Sequence, residues 1–169
     1  HINDANPELI HLYQMIKKSP NLLMKWLDIF AKNYSEAFYY EMRAHHPTDK
    51  MEKAARTIFL NKTGFNGLYR LNSSGHFNVP FGKREKCPKL YVRENLLEVS
   101  KRLKNARLTN WDFEKVIDLA KADEIIYCDP PYEPLNRTSA FNQYLAKGFS
   151  QNEQKRLKEA CERAASRGA

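Results

Sequence analysis

Apolar residues recur three or four positions apart through the first sixty residues, which is the spacing of helices that bury one face. Asn6 followed by Pro7 has the cap and the first-turn residue typical of a helix start. A second start is predicted at Ser19, a third helix around Phe38, and a fourth helix capped by Thr48. The pattern predicts a small helical cluster in this part of the chain.

The pattern changes at residues 64–82, where glycine, asparagine and aromatic residues are concentrated. Two short segments, at 68–71 and 76–79, flank a polar stretch that runs from Asn72 to Gly75. Strand-like segments on both sides of such a turn predict a β-hairpin.

The remainder of the chain alternates between helix and strand patterns. This order is typical of a parallel α/β sheet, which is expected to be incomplete at both ends of the chain. Cys128 is expected to pack beneath the sheet as a buried structural thiol. The predicted elements are a helix at 96–103, strands at 107–109 and 124–128, a helical face at 113–120, and a final helix that opens with the capping box Ser150–Glu153.

The composition of the 169 residues allows one domain with a hydrophobic core and at most a small appendage, since 42% of them are hydrophobic. No apolar run approaches about 18 residues, so no membrane span is expected. The three cysteines cannot all pair, which indicates a reducing, cytoplasmic setting. The chain opens without a basic signal region and without methionine, so we expect it to begin inside a longer reading frame.

Positive charge is concentrated in one short stretch. The net charge is +8, and residues 62–93 contain seven basic residues and one acidic residue. Four of the six glycines and five aromatic residues share this stretch. A run of charge is often only a solvated face, whereas a basic, glycine-punctuated and aromatic segment is typical of a surface that binds polyanions. The histidines do not have metal-ligand spacing, and no metal is expected.

The motif with the clearest chemistry is Asp129-Pro130-Pro131-Tyr132, directly after the second predicted strand. Ligands of open α/β sheets gather at the carboxyl ends of strands, and two consecutive prolines fix a rigid, extended turn. The Asp129 carboxylate and the Pro130 carbonyl can accept the two N–H protons of an exocyclic amine, while the Tyr132 ring stacks on the base. The simpler interpretation is a strand-ending turn with a packed tyrosine. The four residues together favour the functional interpretation.

These four residues resemble the (Asp/Asn/Ser)-Pro-Pro-(Tyr/Phe) motif of amino-methyltransferases that use S-adenosylmethionine. Alone, that motif does not distinguish adenine-N6 from cytosine-N4 methylation, or DNA from RNA or a protein amide. The stretch 61–72, followed by Phe-Asn-Val-Pro-Phe-Gly at 77–82, resembles the recognition hairpin of Dam-type (D12 class) adenine-N6 DNA methyltransferases. Residues 4–6 and 133–135 are similar to that family too, so the resemblance covers essentially the whole chain.

The resemblance implies an α/β fold, in which a Rossmann-like S-adenosylmethionine-dependent methyltransferase sheet, incomplete here, has an inserted helical and β-hairpin DNA-recognition domain. Residues 1–6 and 95–169 would form part of the catalytic domain. Residues 7–94 would form the target-recognition domain, with its hairpin at about 64–85. The family's Trp-x-Gly-Gly-Lys and Phe-x-Gly-x-Gly segments, which hold the methionine end of the cofactor, do not occur in these residues. The 169 residues alone are therefore expected to be inactive.

Carried over residue by residue, the resemblance implies roles at the cofactor. Asp4 would bind the ribose hydroxyls, and Asp112 with Phe113 would bind the cofactor's adenine. Asp129 would contact both the cofactor and the target adenine. Helix capping is an equally simple explanation of Asp112 and a serious alternative for Asp4.

The resemblance also implies DNA contacts from the hairpin. Phe65 matches an aromatic residue that enters the gap near the flipped base, and Leu68, Arg70 and Pro80 match residues that read GATC. Phe65 stands where tyrosine is frequent and Arg84 where an aromatic residue is frequent, which leaves the details of flipping and flank preference open. The predicted DNA-binding residues are Phe65, Asn66, Leu68, Arg70, Asn72, Pro80, Lys83 and Arg84.

These observations predict a site-specific DNA adenine-N6 methyltransferase that transfers a methyl group from S-adenosylmethionine to a flipped adenine in GATC. Double-stranded DNA is the predicted partner, and a monomer is expected. A non-catalytic basic DNA-binding module is the alternative from another class, and an amino-methyltransferase acting on RNA or a protein amide is a weaker one. The rigid acid–carbonyl–aromatic turn argues against the first alternative, and Arg70 with the hairpin argues against the second.

Overall fold

A computed structural model describes residues 1–72, 74–131 and 149–169. These residues are mainly helical and include a small parallel sheet, which is compatible with an incomplete α/β sheet. No helix in these ranges is both long and apolar enough to cross a membrane. The helices are α1 (Pro7–Lys18), α2 (Pro20–Lys32), α3 (Glu36–Ala44), α4 (Lys50–Thr63), α5 (Arg93–Leu103), α6 (Phe113–Ile117) and α7 (Gln151–Ser166), with a 3-10 turn at Phe65–Gly67, and the strands are β1 (Ile2–Asn3) and β2 (Leu108–Thr109).

Local capping determines where several helices begin, and it confirms most of the predicted starts. The Asn6 side chain accepts two backbone N–H bonds in the first turn of α1, and Ser150 accepts one in the first turn of α7. The predicted cap Thr48 is wrong, because α4 is capped by the Asp49 carboxylate, which accepts two N–H bonds. The helix dipole also stabilises a negatively charged carboxylate at the N-terminus of α4, whereas a threonine hydroxyl carries no charge to be stabilised.

The helical core is built around α4, which packs against α1, α2 and α3. Phe59 of α4 is fully buried, and its ring centre lies 5.6 Å from that of Phe30, 5.4 Å from that of Phe38 and 6.3 Å from that of Tyr39. Edge-on and tilted aromatic contacts at such distances add to the free energy of burial. This aromatic cluster of four residues therefore fixes α2 and α3 against the middle of α4.

A buried arginine joins α3 to α4. Arg56 Nε donates to the Met42 carbonyl at 2.7 Å, and its Nη2 donates to the Arg43 carbonyl at 2.9 Å. Both carbonyls belong to the last turn of α3, where no later helical N–H is present to bond them. Arg56 thus provides hydrogen-bond donors for the carbonyl groups at the end of α3. Its own charge is balanced by Glu8, whose Oε1 lies 3.9 Å from Arg56 Nη1.

The strand predicted at 107–109 is confirmed, since β2 pairs in parallel with β1. Ile2 lies opposite Leu108, and Asn3 lies opposite Thr109. Side chains reinforce this pairing, because the Thr109 hydroxyl donates to Asn3 Oδ1 at 2.7 Å. Helices α6 and α7 contact each other around a separate small core of Ile117, Ala160 and Ala164.

The strand predicted at 124–128 is wrong for this structure, in which these residues form no regular secondary structure. Ile125 is 97% exposed and Tyr127 is 88% exposed. An apolar strand of this kind is stable between neighbouring strands and covering helices, and the described residues place no strand beside it. Cys128 is exposed as well, so its predicted role as a buried thiol is also wrong.

Candidate functional site

The predicted hairpin is present, although isolated bridges rather than continuous strands hold it together. Leu71 pairs with Phe77, and Gly64 pairs with Phe81, both in antiparallel orientation. We call residues 64–82 the recognition hairpin, after the family segment that they resemble, with residues 64–71 as its first arm and residues 76–82 as its second arm.

The tip of the recognition hairpin is closed by Asn72. Its N–H donates to the His76 carbonyl at 2.8 Å, and its Oδ1 accepts from the N–H groups of Ser74 and His76. Gly75 has φ of 77°, a conformation that favours glycine. The Asn72 side chain is therefore engaged within the turn in this structure.

The base of the recognition hairpin rests on the end of α4. The Phe65 N–H donates to the Pro80 carbonyl and the Gly82 N–H donates to the Thr63 carbonyl, each at 2.9 Å. A Cβ on Gly82 would lie 2.8 Å from the Thr63 carbonyl oxygen and 3.0 Å from that of Gly64. Because a side chain does not fit in this contact, glycine allows the two arms to meet at the C-terminus of α4.

A buried tyrosine supports the second arm of the recognition hairpin. The Tyr39 hydroxyl donates to the carbonyl oxygens of Val79 at 3.0 Å and of Pro80 at 3.4 Å. Arg43 Nη1 donates to the same Val79 oxygen at 3.1 Å. Since Tyr39 is fully buried in the aromatic cluster, the helical core determines where this arm lies.

The buried phenol of Tyr39 predicts a loss of stability at high pH. Desolvation by burial raises the pKa of Tyr39 to about 12, whereas a phenol in an unfolded chain has a pKa of about 10. Between these values the unfolded chain binds fewer protons than the folded one. The stabilisation is therefore complete below about pH 10 and is lost as the pH rises toward about 12.

We expect Tyr39→Phe to reduce the fall in unfolding free energy over this alkaline range, as measured by urea denaturation. Tyr40→Phe is the matched control, because Tyr40 is the neighbouring residue and is 37% exposed. An unchanged alkaline slope in Tyr39→Phe would contradict the prediction.

The first arm of the recognition hairpin presents a tight turn to solvent. Asn66 and Gly67 both have positive φ, of 51° and 63°, and Asn61 Nδ2 donates to the Gly67 carbonyl at 2.8 Å. Two successive left-handed residues bend the chain sharply. The flanking Phe65 and Leu68 are 49% and 41% exposed. Large apolar side chains held outside the core in this way are suited to contact a partner.

Arg70 is held along one side by Asn78 of the opposite arm. Its Nε donates to Asn78 Oδ1 at 2.7 Å, and its Nη2 donates to the Asn78 carbonyl at 3.4 Å. Within the ranges that the structure describes, no carboxylate forms an ion pair with this guanidinium. The protein therefore orients Arg70 without neutralising its charge.

A basic cleft of about 440 Å³ borders the exposed turn. The charged residues that line it are all cationic, an arrangement that favours phosphate groups. The cleft brings together two of the predicted DNA-binding residues, Asn66 and Arg84, and the adjacent Lys83 is exposed. Its polar lining residues are Asn61, Lys62, Asn66, Arg84 and Lys89.

The carboxyl ends of β1 and β2 form a second candidate site, which we call the sheet edge (residues 4–6 and 110–113). The Asp4 N–H donates to the Thr109 carbonyl at 3.3 Å, and Asn110 Nδ2 donates to the Asp4 carbonyl at 2.7 Å. The Asp4 carboxylate accepts the N–H of Asn6 at 2.7 Å. The edge at which parallel strands end is where open α/β sheets bind ligands.

The pattern of apolar and polar residues gives little sign of the role of Arg156 in α7. Its Nη2 donates to carboxylate oxygens of Asp112 and Glu114, both at 2.9 Å, and its guanidinium lies 4.9 Å from the centre of the Phe113 ring. Asp112 also caps α6, which confirms the capping interpretation. Hydrogen bonds from Arg156 and Arg163 lower the pKa of Glu114. One arginine thus holds the predicted pair Asp112 and Phe113 together.

The predicted catalytic turn is the motif at residues 129–132, of which the structure describes residues 129–131. Asp129 is exposed, Pro130 is half-buried, and the Pro131 carbonyl accepts from Gln154 Nε2 of α7 at 3.4 Å. Tyr132 lies outside the described residues. Within residues 1–72, 74–131 and 149–169, no three metal-ligating side chains gather in one place.

Comparison with known proteins identifies the relatives of this chain. Residues 1–169 match the family model for D12 class N6 adenine-specific DNA methyltransferases. The chain is 38% identical over 180 residues to the type II methyltransferase M.MjaIII of Methanocaldococcus jannaschii, and 39% identical over 175 residues to the type II methyltransferase M1.LlaDCHI of Lactococcus lactis subsp. cremoris. It is 32% identical over 169 residues to a DNA adenine methylase of Vibrio cholerae.

These alignments cover 99%, 99% and 96% of this chain, respectively. They cover 62%, 61% and 59% of the relatives. The chain therefore spans about three fifths of the length of the curated relatives that it matches.

Proposed function

Since the chain belongs to the D12 class of N6 adenine-specific DNA methyltransferases, we propose that the protein transfers the methyl group of S-adenosylmethionine to N6 of a flipped adenine in GATC within double-stranded DNA. The observation that supports this most directly is the recognition hairpin, which presents Phe65 and Leu68 beside a cationic cleft. A mobility shift with duplex DNA and a methylation assay on GATC duplexes test the two halves of the proposal.

We further propose a division of roles along the chain. Residues 7–94 recognise the DNA, and residues 1–6 and 95–169 belong to the catalytic domain of a protein that acts as a monomer. The 169 residues contain no Phe-x-Gly-x-Gly segment to hold the methionine end of the cofactor, so we expect no methyl transfer from them alone.

Asp129 and Pro130 provide the chemistry of the proposed catalytic turn. The N6 lone pair of adenine is delocalised into the ring, which makes N6 a poor nucleophile. The Asp129 carboxylate and the Pro130 carbonyl each accept a hydrogen bond from an N6–H group and draw the nitrogen toward tetrahedral geometry. Positioning and charge placement lower the barrier, and no covalent intermediate with the protein forms. The proton that N6 loses on methylation passes to the surrounding water.

Base flipping links the catalytic turn to the recognition hairpin. The adenine must leave the duplex, which costs a few kcal/mol. Stacking on Tyr132 returns about 1–3 kcal/mol of that cost. Phe65, exposed on its tight turn, enters the gap near the flipped base.

The sheet edge fits the adenosine half of S-adenosylmethionine, which supplies an electrophilic methyl group on sulfur. The Asp4 carboxylate would accept hydrogen bonds from the ribose hydroxyls, and the Phe113 ring would pack against the adenine, with Asp112 beside it. The bond between Asn110 and the Asp4 carbonyl supports this assignment, because it joins the segments beyond the two strands. Arg156 keeps the second segment in position.

Arg70→Ala is expected to relax the preference for one guanine of the recognition sequence. An arginine that makes two parallel hydrogen bonds to guanine contributes about 1–3 kcal/mol of discrimination, or roughly 5- to 150-fold. Lys89→Ala, by contrast, is expected to slow methylation of all sequences alike and to flatten its salt dependence, because a phosphate contact carries no sequence information.

Methylation rates on GATC and its single-base variants, each at two salt concentrations, separate these two roles. If Arg70→Ala slows every sequence by the same factor, Arg70 is a phosphate contact and its base-reading role is wrong.

A further inference from the structure

Asn78 occupies one side of the Arg70 guanidinium and leaves the other free. The bonds from Nε and Nη2 to Asn78 use the side of the guanidinium that these two nitrogens form. A backbone bond of 3.1 Å from the Asn78 N–H to the Arg70 carbonyl holds the two residues in register. Nη1 makes no hydrogen bond within the described ranges, so the end formed by Nη1 and the second Nη2–H points away from these contacts.

Other engaged arginines of the chain are bound in different ways. Arg56 directs its donors to two backbone carbonyls inside the core. Arg156 bonds to the carboxylates of Asp112, Glu114 and Glu153, which neutralise it. Arg70 differs because a neutral amide orients it, so that its charge and one hydrogen-bonding end stay available to an outside partner.

Asn78 is itself fixed by the helical core. The next residue, Val79, is fully buried, and its carbonyl accepts from both Tyr39 and Arg43. The orientation of Arg70 therefore depends on contacts that continue from the aromatic cluster through the second arm of the recognition hairpin.

We propose that Asn78 is a positioning residue for base readout, which turns the free end of the Arg70 guanidinium toward the base edges in the major groove. This inference rests on the proposed function of the recognition hairpin. An arginine that is not held must lose rotamer freedom on binding, and it can turn to a nearby phosphate instead of a base. An arginine oriented in advance favours the two parallel bonds that specify guanine.

Two substitutions at position 78 separate the acceptor from the amide donor. Asn78→Ala removes the acceptor of the Arg70 Nε–H, whereas Asn78→Asp keeps an acceptor oxygen and removes the amide N–H groups. The discrimination is measured as the ratio of kcat/KM on GATC to kcat/KM on a site in which the guanine is replaced by another base. In the full-length protein, we expect Asn78→Ala to lower this ratio by about five- to tenfold. Asn78→Asp should keep most of that ratio, although its negative charge weakens binding to all duplexes.

The matched control is Ser74→Ala at the exposed tip of the same hairpin, which should leave the ratio unchanged. In an Arg70→Ala background, Asn78→Ala should lower the ratio no further, because both residues act through one contact. The proposal is overturned if Asn78→Asp lowers the ratio as much as Asn78→Ala does. It is also overturned if the reductions caused by Arg70→Ala and Asn78→Ala multiply in the double variant.

A measurement on the DNA-free protein tests the positioning apart from the proposed function. The bond to Asn78 protects the Arg70 Hε from exchange with water, which NMR measures directly. We expect slow exchange in the parent protein and in Asn78→Asp, and fast exchange in Asn78→Ala. Fast exchange in the parent overturns the positioning role. If Arg70 Hε exchanges slowly but the full-length protein methylates no adenine, the proposed function is overturned instead. The discrimination is then measured as the ratio of Kd values for the GATC duplex and for the duplex in which the guanine is replaced.

Discussion

Asp129→Ala in the full-length protein is expected to lower the rate of methyl transfer by about 10²- to 10³-fold while leaving duplex binding within a few fold. In the proposed mechanism, N6 of the flipped adenine then loses one of the two acceptors that draw its lone pair out of conjugation. Loss of a positioned hydrogen bond at a reacting centre lowers kcat by about 10²- to 10³-fold. Binding should persist because six of the eight excess positive charges lie in residues 62–93. Single-turnover methylation and mobility shift assays measure the two effects.

Asp123→Asn is the matched control for this experiment, because it removes the same charge from another exposed aspartate six positions earlier. Asparagine also tolerates the positive φ of 68° at position 123. Near-normal turnover by Asp129→Ala would show that the four-residue motif is a structural turn, which is the simpler interpretation of the sequence.

Phe59→Ala is expected to lower the free energy of unfolding by about 3–5 kcal/mol, because it removes a fully buried ring and leaves a cavity that the helices cannot fill. The lost ring contacts three others, on α2 and α3, so the packing of both helices on α4 is weakened. Urea denaturation at neutral pH measures the change.

Phe65→Ala provides the comparison, since Phe65 follows α4 closely but is 49% exposed. We expect it to change stability by less than about 0.5 kcal/mol and to slow methylation of duplex DNA. If the two alanine variants lose equal stability, Phe65 is part of the core and its assignment to the DNA gap is wrong.

The helices could be predicted from the sequence because caps and apolar spacing act within a few residues. Asn6 and Ser150 fix their helices through bonds to backbone groups two or three positions away. The conformation of residues 124–128 could not be predicted in this way, because a strand depends on neighbours that local sequence does not specify. Ile125 and Tyr127 have the composition of a buried strand and are nevertheless exposed.

The candidate site was predictable where a local motif carries it, and not where it depends on tertiary contacts. The hairpin at 64–82 followed from a polar turn between strand-like segments. The hydrogen bond from Arg156 to Asp112 spans 44 positions, and no local pattern indicates such a contact. Tyr39 likewise supports a residue 40 positions away. The roles of the predicted site residues in methylation stay predictions.

The parallel pairing of β1 with β2 has a consequence for the order of folding. It joins Ile2 to Leu108 across a loop of about 100 residues. Closing such a loop is slow, because the chain loses conformational entropy before the contacts between the strands can compensate for it. Helices α1 to α4 pack on one another between these strands, β1 leads directly into α1, and α5, which precedes β2, packs on α1. We therefore expect the helical unit to form first and to bring the two strands together. Damage to that unit would then delay assembly of the sheet edge, the proposed site for the methyl donor, although the two share few residues.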